Sequence, residues 1–364
     1  MNLEEIIKDT IIQNQAPIGF DEFMQLSLYY PKLGYYRSGS EKFGEKGDFI
    51  TAPETSDLFG FCLAKQCAEV LSPDASILEF GAGSGVLAAQ ILFELGRLNK
   101  LPEHYYILEL SAELKYRQQQ TIARVLPELL DRVVWLDELP KGFCGVVIAN
   151  EVLDAMPAKR IVQQKNNFYE LGVGLSKTGF DWQVRGGKLN KNDYALPPLM
   201  SEGYVTEINQ QATAWIDALC NAVDDALILL IDYGMHRDEY FHPQRKDGTL
   251  RCYHHHKASD NPFVNIGEQD ITTSVNFSDV ADQASSTGFN IIGYATQAMF
   301  LLSLGIDEYL LSETNESKRI TLAQQVKQLI LPSAMGESFK VLALNTTQQV
   351  KLTGFKEQDL THKL

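Results

Sequence analysis

The stretch Ser76–Ala89, SILEFGAGSGVLAA, constrains this chain more than any other. It reads as a short apolar strand, a tight turn with glycine at 81, 83 and 85, and the first turns of a helix. Glycine lets the main chain bend sharply and approach a ligand closely, because no side chain intervenes. The helix that follows directs its free N–H groups and positive dipole end at whatever sits there. A helix N-terminus after a parallel strand is a general ligand cradle. The spacing narrows the choice. A dinucleotide fold needs G-x-G-x-x-G, whereas Gly81-Ala82-Gly83-Ser84-Gly85 is G-x-G-x-G and Val86 stands where the third glycine belongs. Glu79, just ahead of the turn, sits poorly beside a pyrophosphate but can hydrogen-bond an amino or ammonium group. A nicotinamide-dependent oxidoreductase fails on this spacing.

Further strands are expected at Tyr105–Leu110, Val133–Leu136, Val146–Ala149, Ala226–Ile231, 289–295 and Phe339–Leu344. Continuous apolar runs of this kind belong in a parallel sheet covered on both faces. Acidic residues (Glu109, Asp137, Glu151, Asp232) fall at or just past the ends of four of them, the edge where open α/β sheets bind ligands. The expected fold is therefore α/β, Rossmann-like, with a seven-stranded, mostly parallel sheet. Leu87, Ile91, Leu95 and Leu98 should form the buried stripe of the helix after the glycine turn.

Residues 1–72 read as an N-terminal helical region ending in a long loop, Phe43–Ser56, and a further helix from Asp57. The core is expected over 73–345, interrupted by an insertion at 158–203 and a helical excursion at 296–336. A helix is expected from Glu202 to Asp224, and a long loop over 235–275. Residues 346–364 read as a polar, loosely held tail.

A net charge of −15 opposes binding to a nucleic-acid backbone and suits a cationic substrate. Five cysteines, scattered and without a C-x-x-C pair, fit reduced thiols better than disulfides or zinc. The first residues, MNLEEIIKDT, have neither a secretory apolar core nor an Arg/Ser-rich transit composition. No apolar run approaches membrane-spanning length. A cytoplasmic protein is expected, with no membrane partner. Adjacent residues of His254-His255-His256 do not share a strand face, so no metal site is expected, and His256 is the favoured one to line a pocket.

The pattern E-x-G-x-G-x-G resembles the first motif of class I methyltransferases, which hold S-adenosylmethionine. On that resemblance, Glu109 would take the two ribose hydroxyls and Asp137, with Glu138 as rival, the adenine amino group. Main chain near Gly81, with carboxylates such as Glu79 or Asp48, would meet the methionyl ammonium and the sulfonium. The expected cofactor residues are Asp48, Glu54, Glu79, Gly81, Gly83, Ser84, Gly85, Glu109, Leu110, Asp137 and Asn150. Methyl transfer from a sulfonium needs alignment, desolvation and a group that accepts a proton. Glu151 and Asp154, three apart, share a face if their turn is helical and would grip a guanidinium or amine through charge-assisted hydrogen bonds. Glu151, Asp154 and His256 are the catalytic candidates.

Eight blocks, in order along nearly the whole chain, are similar to the MidA family of methyltransferases. They are GYY (34–36), GDFITAPETSDLFG (47–60), EFGAGSG (79–85), NEVLDAMP (150–157), DYG (232–234), GTL (248–250), GEQDIT (267–272) and MGESFKVL (335–342). The resemblance implies a class I methyltransferase fold and a pocket roofed by the GDF–PE loop. Mitochondrial members of that family assist assembly of respiratory complex I by dimethylating arginine on one of its subunits. It thus implies a protein substrate with a basic side chain. A small-molecule methyltransferase and a cofactor-binding assembly factor without turnover are the alternatives. Two departures stand out: Thr273-Ser274-Val275-Asn276-Phe277 replaces the family's frequent T-A-H-V-D-F, and Gly60-Phe61 replaces Gly-Glu. The 296–336 excursion could serve a homodimer.

Overall fold

Seven strands form the main sheet: β1 (Ser76–Phe80), β2 (Tyr105–Leu108), β3 (Val133–Leu136), β4 (Phe143–Asn150), β5 (Val223–Met235), β6 (Asn290–Thr296) and β7 (Phe339–Asn345). Their order across the sheet is β6-β7-β5-β4-β1-β2-β3, and the two-residue strand Val275–Asn276 adds on to the end of β5. β1 to β5 run parallel, while β7 is antiparallel to both its neighbours. The computed structural model describes residues 2–37, 51–190, 193–198, 200–346 and 350–364.

Every residue of β1 is buried, Ser76 and Glu79 included, as a central strand covered on both faces requires. Ile77, Ile148 and Leu229 face the helices Asp57–Ala68 and Val86–Arg97, whereas Leu78, Val147 and Ile228 face Gln210–Ala222 and Phe277–Ser286. From β1 the chain builds outward through β2 and β3, then crosses back to lay β4 on the other side of β1. That reversal opens a crevice at the carboxyl ends of β1 and β4. Phe61, at one of the family departures, packs against Phe93 at 5.7 Å and Tyr309 at 5.8 Å between ring centroids.

The insertion after β4 runs past the expected 158–203. Lys159–Gln164, Asn167–Ser176, Gly179–Lys188 and Val205–Ile208 form a four-stranded antiparallel sheet. The helix expected from Glu202 therefore starts only at Gln210, where Asn209 accepts from the Ala212 N–H at 2.8 Å. Extended pairing with Lys159–Val162 outweighs helical spacing here, because it buries Glu207 against Arg160 at 3.1 Å. The expected 235–275 loop also contains structure: Arg251–His254, Lys257–Ser259 and Asp270–Thr272 make a three-stranded sheet. The helices Leu3–Asn14 and Phe20–Tyr29 pack through Ile7, Phe23 and Leu28 on apolar residues of both small sheets, including Val173 and Ile271.

Leu98, expected in the buried stripe, ends its helix and is 38% exposed. The C-terminal tail differs more. Leu352 and Phe355 are buried in the core, and the Leu360 N–H donates to the Tyr294 carbonyl at 2.6 Å. Phe355 lies over Gly293 and meets Phe300 at 5.3 Å, so two apolar anchors hold a segment whose composition is polar. Phe355→Ala is expected to destabilise the protein by about 3 kcal/mol, read as a lowered midpoint in urea unfolding.

Candidate active site

A cavity of about 1000 Å³ occupies the crevice at the carboxyl ends of β1, β2 and β4. Its first half is built on the glycine turn. Gly81, Gly83 and Gly85 have φ of 59°, 53° and 83°, a left-handed path that side chains resist. A Cβ on Gly85 would stand 2.9 Å from the Gln118 Cα, so helix Ala112–Val125 packs directly on the turn. Gln118 ties this half together. Its Nε2 donates to the Gly83 carbonyl and to Glu109 Oε2, both at 3.1 Å, and its Oε1 accepts from Trp135 Nε1 at 2.9 Å. Glu109 also accepts from the Ser111 N–H at 2.8 Å, so its carboxylate is fixed just past β2.

Glu79 is 2% exposed and accepts from Tyr105 Oη at 2.8 Å. Burial pushes its carboxyl up to about 7, against the opposing pull of that hydrogen bond. Ser84 Oγ donates to Glu54 on the short helix Ala52–Thr55, which lies over the glycine turn. Leu110 is exposed, and its carbonyl accepts from Arg37 Nη1 at 2.6 Å. Asp137 lines the cavity but is exposed and ion-paired with Lys115. Asp48 lies outside the described residues.

These residues fit an adenosyl sulfonium. The turn is a main-chain cradle that a side chain would fill, and a fixed carboxylate stands one strand away, able to accept from a vicinal diol. The half-cavity is lined by Glu54, Glu79 and Glu109, which suits a cationic ligand.

The second half lies beyond β4. Glu151 leaves the strand in the left-handed region, φ 54°, an uncommon conformation for a residue with a side chain. Its carboxylate accepts from Asn150 Nδ2 at 3.3 Å. Burial, with the Asp154 carboxylate beside it, pushes Glu151 up to about 8. Asp154 is 5% exposed, and burial raises it to about 6 against a hydrogen bond from Tyr233 Oη. Among the described residues, neither carboxylate is ion-paired with a Lys or Arg. Tyr29 and Tyr36 wall this half with rings stacked at 5.5 Å. Tyr29 Oη donates to the Ala155 carbonyl and Tyr36 Oη to Asp270, each at 3.0 Å.

The structure therefore brings Glu54, Glu79, Gly81, Gly83, Ser84, Glu109, Leu110, Asp137, Asn150, Glu151 and Asp154 around one cavity, with Gly85 directly behind the turn. His256 does not join them. It is exposed, with φ 59°, at the turn of the Arg251–His254 hairpin, and none of the three histidines lines the cavity. The residues that went unassigned from the sequence are Tyr29, Tyr36, Gln118, Asp232, Tyr233 and Asp270. Blocks GYY, DYG and GEQDIT contained four of them.

The raised carboxylates carry a stability cost that depends on pH. In the folded chain Glu151 and Asp154 hold protons more tightly than their ordinary values of 4.5 and 3.8. Their contribution is complete below those values and is lost as pH rises through about 6 and then about 8. Glu151→Gln is expected to flatten the upper part of that decline, measured as thermal midpoint between pH 5 and 9.

Comparison with known proteins points to the same cofactor. Residues 62–295 match the model of a family described as "Putative S-adenosyl-L-methionine-dependent methyltransferase". A Burkholderia thailandensis protein solved with bound S-adenosyl-homocysteine superimposes with a TM-score of 0.95 at 38% identity, covering 100% of this chain and 96% of that one. Protein arginine methyltransferase NDUFAF7 of Danio rerio is 27% identical over 374 residues, 92% of this chain and 85% of its own length. Its Homo sapiens counterpart is 27% identical over 384 residues, 93% and 82% respectively. Both are mitochondrial proteins by name, which overturns the expectation of a cytoplasmic location.

Proposed function

The chain belongs to this family of S-adenosylmethionine-dependent methyltransferases, and from that premise we propose that it methylates an arginine side chain on a protein. One observation carries the reading: Glu151 and Asp154, unpaired with any described Lys or Arg, share one cavity with the glycine cradle. Relatives named as protein arginine methyltransferases support the same substrate class.

The cofactor supplies an electrophilic methyl group on a sulfonium. Glu109 would accept from the ribose hydroxyls, and main chain at Gly81 and Gly83, with Glu79 behind it, would receive the methionyl end. Asp137 would reach the adenine amino group only by leaving Lys115, an exchange made easy by the exposure of that pair. Across the cavity Glu151 and Asp154 receive N–H groups of the guanidinium, whose planar fork suits paired acceptors. The Tyr29 and Tyr36 rings exclude water and offer their faces to a cation. A methylated guanidinium is still a cation, so one proton must leave the reacting nitrogen. Glu151 takes it: a carboxylate raised towards neutrality is a better base than one in water, and the incoming cation keeps it ionised until transfer.

Incubation with cofactor carrying a heavy-isotope methyl, followed by peptide mass spectrometry, tests the reading. Label on an arginine nitrogen of a protein is expected. Label only on a small molecule, or no turnover, would overturn it.

A further inference from the structure

Asp154 has an unusual division of labour between its two carboxylate oxygens. Oδ2 accepts from Tyr233 Oη at 2.6 Å. Oδ1 is buried and has no hydrogen-bond partner, although the residue is 5% exposed and lines the cavity. A buried acceptor without a partner is costly, and its retention calls for an explanation. The main chain around it is held just as firmly. Asp232 Oδ2 accepts from the Leu153 N–H at 3.0 Å and the Asp154 N–H at 3.2 Å, while its Oδ1 accepts from the Tyr233 N–H at 2.9 Å. The Thr273 N–H donates to the Asp154 carbonyl at 3.0 Å. The end of β5 and Thr273 thus pin the turn that carries this side chain.

We propose that Asp232 and Tyr233 are positioning residues that hold Asp154 with Oδ2 occupied and Oδ1 reserved for an N–H of the acceptor. The proposal rests on the arginine reading and deepens it. A guanidinium presents parallel N–H groups, so it needs two acceptors at fixed separation. Glu151 supplies one and Asp154 Oδ1 the other, and a carboxylate free to rotate would offer no fixed partner. An ammonium has no such planar fork and gains less from the fixed pair. The clamp therefore sets a preference for guanidinium over amine.

Tyr233→Phe removes the hydroxyl and keeps the ring that packs against Phe339. Among the described residues, the charged and titratable groups facing Asp154 are Glu151 on its own turn, Asp232 and Tyr233 on β5, Asp270, and the hydroxyls of Tyr29, Tyr36 and Tyr253. None is a cation, so losing the Tyr233 hydrogen bond must move Asp154 upward. The variant is expected to raise KM for an arginine peptide about tenfold, with cofactor affinity unchanged. The acid limb of kcat/KM should move to higher pH, whereas Asp232→Asn, which also removes a like charge beside Asp154, should raise KM without that upward move.

A second readout needs no turnover. Carboxyl-13C aspartate NMR, with the resonance assigned by Asp154→Asn, should show Asp154 titrating at higher pH in Tyr233→Phe than in wild type. Wild-type protein inactive on every arginine peptide would sink the arginine reading while leaving this titration to decide the clamp. An unchanged titration, or an unchanged KM and pH profile in an active enzyme, would overturn the clamp and leave the arginine reading standing.

Discussion

Glu151→Gln is expected to slow methyl transfer about a thousandfold, the scale on which a positioned proton acceptor contributes. The substitution keeps the shape of the side chain and its hydrogen bond with Asn150 largely available, yet removes the group that can accept a proton. Cofactor affinity should stay within about twofold, because the interactions assigned to the cofactor lie on the glycine turn and Glu109. Single-turnover transfer and calorimetry with S-adenosylhomocysteine measure the two quantities separately. Residual transfer near the wild-type rate would mean that another group takes the proton.

Gly85→Val should produce the opposite pattern, in which binding itself is lost. Gly85 has φ 83°, so any side chain is strained there, and the added Cβ would press on the Gln118 main chain at 2.9 Å. A displaced Gln118 releases both Glu109 and the Gly83 carbonyl at once. Cofactor affinity is expected to fall by about a hundredfold or more, the combined effect of strain and lost hydrogen bonds. Calorimetry is the measurement. Fluorescence of Trp135, which donates to Gln118, should report the same rearrangement.

The two halves of the site differed in how far the sequence reveals them. The cofactor half is local. A strand, a turn and a helix follow one another within Ser76–Arg97, and Glu109 sits just past a strand end that an apolar run already marks. Chain order there is nearly spatial order. The acceptor half is assembled from distant pieces, as the Tyr36–Asp270 hydrogen bond shows by joining residues 234 apart. No periodicity announces such a pairing; only the quoted family blocks hinted at it. His256 illustrates the converse error. Its placement rested on residue type alone, and a hairpin turn carries it into solvent. The segment Val205–Ile208 was hidden by helical spacing downstream, because only its partner strand makes extended structure favourable. At the C-terminus two apolar residues, Leu352 and Phe355, outweigh a polar composition by filling gaps over Gly293 and Phe300.

The central claim is that a single cavity joins an adenosyl cradle to a pair of guanidinium-binding carboxylates. A crystal structure with S-adenosylhomocysteine and an arginine peptide tests it most directly. The ribose hydroxyls should lie on Glu109, with the sulfur and the guanidinium facing each other across Glu151 and Asp154. A nucleoside seated elsewhere, or a sulfur turned away from those two carboxylates, would contradict the account.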